Sequence, residues 1–160
     1  MVDRKLSPDV PPKVTPIEQA EHIHPFGGLA RVLMRTEDTG GVLSALLVTH
    51  GPGEGPPPHS HADQTEYFFV VDGRYEMTID GVTTIMEPGS MGFAPPNAVH
   101  TFRNIADHDG HMFDFSLPGG QDRYFRDISD MGKGGKGFTP EMMERLAVTN
   151  REHGVTFHKK

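Results

Sequence analysis

Cysteine is absent from the 160-residue chain. That excludes disulfides, thiolate nucleophiles, Cys-rich zinc modules and iron–sulfur clusters, and it leaves nitrogen and oxygen as the donors for any metal. Basic runs are missing too: no stretch of Lys and Arg exceeds two residues, and 15 basic residues face 22 acidic ones for a formal charge of −7. Such a chain offers nothing to track a phosphate backbone, so nucleic acid is not an expected partner. No segment approaches the roughly 18 apolar residues of a membrane helix, and Met1–Pro8 lacks the apolar stretch of a secretory signal. A soluble cytoplasmic protein without a membrane partner is therefore expected.

What the chain has in quantity is turn punctuation, with 19 Gly and 14 Pro. That suits many short strands better than long helices. Residues 1–24, with Pro8, Pro11, Pro12 and Pro16, read as an extended N-terminal arm, either a frayed tail or a strand lent to a partner subunit. Eight β-rich runs follow: Ala30–Thr36, Val42–Thr49, Glu66–Val71, Arg74–Ile79, Val82–Met86, Ser90–Ala94, Val99–Arg103 and His111–Ser116. Asp72-Gly73 and Asp80-Gly81 separate neighbouring runs, where a glycine at positive φ permits a tight hairpin. No helical stretch interrupts residues 30–117, so an all-β barrel or sandwich over residues 25–118 is expected rather than a parallel sheet.

After Pro118-Gly119-Gly120 the pattern turns helical, and residues 119–160 read as an extension packing on the barrel. Gln121–Ser129 suits one short helix, Gly132–Gly137 a glycine-rich link, and Thr139–His153 a second helix. Thr139 can cap the latter, Pro140 suits its first position, and Gly154 can end it. Its apolar stripe, Met142, Met143, Leu146 and Ala147, covers a barrel face or forms a lid.

Chemistry concentrates in Gly53–Gly73. His59 and His61 sit two apart, so on a strand both imidazoles project from one face and can meet one ion. Glu66 follows a short polar bend and can add a carboxylate oxygen. A later strand, after the turn at Pro95-Pro96-Asn97, offers His100. Phe68 and Phe102 share strand parity with Glu66 and His100, and together with Phe93 they are candidates to line an apolar pocket beside the ion. The other histidines, His22, His24, His50, His108, His111, His153 and His158, read as ordinary solvated side chains.

These two segments resemble the paired motifs of the cupin superfamily. Gly53, His59, His61, Glu66 and Gly73 match G-x5-H-x-H-x4-E-x6-G at every defining position, and Gly89, Pro95, His100 and Asn104 match G-x5-P-x-G-x2-H-x3-N. The second motif departs at Asn97, where the family has glycine; asparagine tolerates a left-handed backbone, so the turn should survive. The short spacing between the motifs is similar to small bacterial monocupins of the quercetin-dioxygenase-like type.

The resemblance implies a double-stranded β-helix (a jelly-roll barrel) and one divalent metal per chain (Fe, Mn, Ni, Co, Cu or Zn) on His59, His61, Glu66 and His100. It also implies a homodimer and a small-molecule substrate, with dioxygen attacking an enolic, phenolic or flavonol-like compound and Glu66 acting as general base. Oxygen-independent isomerisation, cyclisation or elimination stands as the second expectation, and a non-catalytic binder as the third.

Overall fold

The computed structural model describes residues 9–132 and 139–159; the expected link at Gly132–Gly137 lies almost wholly outside the described residues. The described residues form eleven strands and two α-helices. All eight expected strands are present within a few residues of their expected ends. Three further strands, each of three residues, are Glu21–Ile23 (β1), His59–His61 (β4) and Val155–Phe157 (β11). The others are Leu29–Met34 (β2), Ser44–His50 (β3), Thr65–Asp72 (β5), Tyr75–Ile79 (β6), Val82–Met86 (β7), Met91–Ala94 (β8), His100–Asn104 (β9) and Gly110–Leu117 (β10).

Every pairing is antiparallel, in two sheets ordered β1-β2-β3-β10-β5-β8 and β11-β4-β9-β6-β7. Strict alternation explains why they face each other. In β5, Glu66, Phe68 and Val70 are buried while Tyr67, Phe69 and Val71 are not; β10 alternates in the same way, with Met112, Asp114 and Ser116 inward. Phe68, Val70 and Met112 of one sheet meet Tyr75, Met77 and Phe102 of the other in the main core. Each such side chain contributes about 1.5–3 kcal/mol through burial.

Turn chemistry sets the register. Gly73 has φ 86°, and a Cβ there would lie 2.7 Å from Gly110 Cα, so only glycine lets the β5–β6 hairpin pass the start of β10. Asn97 has φ 67°, the left-handed conformation expected of it.

The described part of the N-terminal segment, residues 9–24, is tied to the chain's own sheet. Residues 17–19 form a 3₁₀ turn, and β1 pairs with β2 of its own chain. Hydrophobic Ile23 and the tether of Arg126 to Glu21 hold it there, at 3.0 and 3.1 Å.

Two helices follow the barrel, α1 (Gln121–Gly132) and α2 (Pro140–Glu152). The Thr139 hydroxyl accepts from Met142 N, capping α2. Asp122 accepts a hydrogen bond from the Thr36 hydroxyl, and Phe125 packs on the Ile23, Val32 and Leu46 cluster, which fixes α1 against the six-stranded sheet. Tyr124, Ile128, Leu146 and Val155 then bury α1, α2 and β11 against one another. Among the described residues no helix is long and apolar enough to cross a membrane.

Candidate metal centre

β4 brings His59 and His61 to the inner face, β5 brings Glu66, and β9 brings His100, whose Cα is the register partner of His59. One ligand atom from each of the four lies within 4.8 Å of the others. All four side chains are buried; Glu66 is 3% exposed and His100 1%. Glu66 Oε2 sits at the focus, 2.8 Å from His100 Nε2, 2.9 Å from His61 Nε2 and 3.9 Å from His59 Nε2. Among the described residues no other group of three ligand-type side chains converges this closely.

The surroundings orient the rings. His59 Nδ1 lies 3.0 Å from Pro57 O, and His100 Nδ1 lies 2.9 Å from Ala98 O. Each Nδ1–H donates to the carbonyl two residues earlier, which turns Nε2 inward. His61 is different: neither of its buried ring nitrogens has a hydrogen-bond partner, and the 2.9 Å approach to Glu66 lacks hydrogen-bond alignment. Three inward Nε2 atoms, one of them orphaned, and one carboxylate oxygen form an N₃O donor set that fits a divalent transition metal.

Protons compete for the same atoms. Burial pushes Glu66 up, but the hydrogen bond from His100 and the close approach of the His61 ring outweigh it and hold the carboxyl well below its usual range. Burial pushes His100 down, and its hydrogen bond to Glu66 outweighs that and raises it. Burial lowers His59 to about 4, against the pull of Glu66. A cation would displace the proton that His100 shares with Glu66, so its affinity should fall on acidification.

Behind Glu66 lies a polar pair that sequence reasoning missed. The Gln121 side-chain amide donates to Glu66 Oε1 and, at 3.1 Å, to Asp114 Oδ2. Burial and the charge of Glu66 raise Asp114 well above the usual carboxylate range. Its inward place on β10 was a readable signal; Gln121, on the first turn of α1, carried none.

The centre opens onto a cavity of about 710 Å³. Among the described residues no lysine or arginine lines it, and its polar groups are neutral or acidic apart from the histidines. Of the three expected aromatic residues, Phe102 alone is a wall residue. Phe68, fully buried, lies beneath the site, 5.6 Å from the His100 ring and 5.8 Å from Phe102. Phe93 is 57% exposed and stacks on Tyr67 outside the barrel, because its neighbours Gly92 and Ala94 take the inward positions of β8.

The rest of the wall comes from Phe26, Tyr124, Phe125, Met143, Leu146 and Phe157. His50 also departs from expectation. Rather than solvated, it lines the cavity, bonds Tyr75 OH at 3.1 Å and meets Phe102 edge-on, and burial lowers it to about 4.

Residues 46–116, which hold both motifs and the strands β4, β5 and β9 that carry the four ligand-type residues, match the cupin domain family Cupin_2. The chain carries a cupin domain. Quercetin 2,3-dioxygenase of Bacillus subtilis (strain 168) is 28% identical to this cupin over 91 residues, covering 57% of the chain and 27% of that protein. Polyketide synthase CurC of Streptomyces cyaneus is 29% identical over 102 residues, covering 63% of the chain and 66% of that protein. The matches thus span less than two thirds of either relative. The solved structure of KdgF from Halomonas sp. superposes with a TM-score of 0.63 at 20% identity, over 71% of this cupin and 99% of that chain. A cupin 2 conserved barrel domain protein from Salinispora arenicola covers 86% of this chain and 98% of its own at 18% identity, with a TM-score of 0.55. At those identities the likeness is one of fold.

Proposed function

We propose that this cupin is a metal-dependent dioxygenase whose substrate is a neutral, mostly apolar enol or phenol, of the flavonol or diketone kind. The observation that carries this reading is the cavity: a mostly apolar space of about 710 Å³ that reaches His59, His61 and Glu66 of the four-residue group, with no lysine or arginine among its described lining residues. Beyond the cation itself, phosphorylated or polyanionic molecules would find no counter-charge along the wall, and Glu54 and Glu66 would repel them. The similarity to a quercetin dioxygenase points the same way.

The residues divide the work. His59, His61 and His100 hold the cation together with Glu66. When bound, it would supply Lewis acidity toward an enol or phenol oxygen and, in a redox-active form, electron exchange with dioxygen. Glu66 Oε2 takes the proton of the substrate hydroxyl, which leaves the electron-rich enolate or phenolate that dioxygen attacks. The aromatic wall excludes water from that anion and orients the ring system.

A second reading, proton transfer without dioxygen as in a cyclase or isomerase, is favoured by one observation. Asp114, a second buried carboxyl, lies in the same cavity as Glu66, so protons can be taken and returned at two points. Oxygen uptake separates the two. Protein purified without added metal and analysed for its elements should carry about one transition metal per chain. Assayed against flavonols and 1,3-diketones, it should consume dioxygen in step with substrate loss. Full turnover under strict anaerobiosis would replace the first reading with the second.

A further inference from the structure

We propose that Gln121 is the positioning residue of the metal centre: its amide, delivered by α1, holds Glu66 through Oε1 and so keeps Oε2 facing the three imidazoles. The inference rests on the reading that these four groups hold a cation.

The two oxygens of Glu66 have different neighbours. Oε2 lies 2.8, 2.9 and 3.9 Å from His100, His61 and His59, whereas Oε1 accepts from Gln121 Nε2. The last torsion of a glutamate is broad and nearly two-fold, so a lone carboxylate would exchange its oxygens or turn both toward the ion. A hydrogen bond at Oε1 removes that freedom.

Chemistry also fixes the amide itself. Its NH₂ faces two acceptors, Glu66 Oε1 and Asp114 Oδ2, and a flip would set its oxygen against the Glu66 carboxylate. The remaining atom, Gln121 Oε1, is then buried without a partner. Such an orphan is unfavourable for folding, and the two bonds that Nε2 makes to buried acceptors offset it.

The backbone leaves Gln121 little play. Gln64 Nε2 donates to Pro118 O and Gly119 O just before the helix, at 3.2 and 2.9 Å, and Asp122, next in the chain, is bonded to Thr36. Gln121 lies beyond residues 46–116, the part that matches the cupin family. The helical extension is therefore a component of the centre and not only its cover.

The test uses the full-length chain stripped of metal and titrated with Co(II), whose visible absorption bands report ligand geometry. Gln121→Met keeps the length and removes the donor; Gln121→Glu keeps the shape and replaces the donor with a third carboxyl. Both should bind Co(II) ten- to a hundredfold more weakly, the range typical of lost support to a metal ligand, with bands shifted in position and intensity. Thermal melting of the metal-free forms identifies any variant that fails to fold, and the other then decides. Parent-like bands in a folded variant would overturn the inference, even if its melting temperature fell, since that is the signature of a structural residue. A parent chain that binds no Co(II) would overturn the metal reading itself, and this inference with it.

Discussion

The floor of the cavity and its outer wall are made by different parts of the chain. Around Glu66 the side chains come from β4, β5, β9 and β10, strands whose alternation aims them inward. Phe26 reaches the same cavity from the turn between β1 and β2, and Phe125, Met143, Leu146 and Phe157 reach it from the helices and β11 that follow β10. The floor holds the groups that can bind a cation and move a proton. The wall holds almost none, but it sets the size and polarity of what can reach them. Metal chemistry and molecular selection thus rest on different side chains, and the substitutions below probe how independent the two are.

The largest effect belongs to the floor. His61→Ala or His100→Ala should reduce metal content to less than about a tenth of the parent's while circular dichroism still reports a folded β-protein; equal metal content would remove the residue from the ligand set. Glu66→Gln should keep much of the metal yet lower turnover by about 10²–10⁴-fold, the usual range for a lost acid–base group. Full activity in that variant would leave Glu66 without a catalytic part.

His50 stands where floor and wall meet, and its contribution is to stability. Burial lowers it to about 4 from the 6.5 of a free imidazole. Between those values the unfolded chain binds a proton that the folded chain refuses, so acidification favours unfolding. The stabilisation is whole above pH 6.5 and is lost as pH falls toward 4, by about 3 kcal/mol for this one group. His50→Gln should flatten that part of the pH–stability curve in chemical denaturation. An unchanged slope would mean that His50 titrates as freely folded as unfolded.

β11 tests whether the two regions are mechanically independent. The ligand strand β4 meets β9 at His59↔His100, but it pairs with β11 along its whole length, Val155↔His61 to Phe157↔His59. Ala62 N donates to Gly154 O and His158 N to Pro58 O, both at 2.8 Å; antiparallel alternation then makes Thr156 the hydrogen-bonded partner of Ser60. Thr156→Pro removes that donor from the ladder. Metal affinity should drop about ten- to a hundredfold, as for lost outer support. Parent-like affinity would show that β9 alone holds the ligand strand.

How far the sequence could be read follows the same divide. The eight longer strands, the left-handed turn at Asn97 and the cap at Thr139 are local events, decided by alternation or by one side chain over a few residues. The four converging groups were legible because a fixed spacing on strands of known parity limits where they can meet. β1, β4 and β11 have three residues each, too short for periodicity to register, and they exist through their partners. Phe157 and Gln121 reach the site through long-range packing that no spacing encodes. Phe93 was misplaced for the opposite reason: nearness to a motif along the chain outweighed its alternation with Gly92 and Ala94, which turns it outward.

Phe157 and Phe93 together give the smallest and most discriminating contrast. Phe157 lines the cavity, with its ring centroid 6.3 Å from that of His59 and 6.4 Å from that of Phe26. Phe93 is an aromatic of the same size on the outer face, 5.9 Å from Tyr67. Phe157→Ala should weaken binding of a flavonol such as quercetin to the metal-loaded protein by about tenfold, the loss expected from one aromatic contact and its buried area. Binding of acetylacetone, a chelator without rings, should barely change, because it reads the metal and not the wall. Phe93→Ser should shift neither ligand and leave metal content as it was, since an exposed aromatic away from the cavity has nothing to withdraw from either. A flavonol affinity that responded to Phe93→Ser and ignored Phe157→Ala would put the recognising surface outside the barrel, and selection could no longer be assigned to the terminal segments.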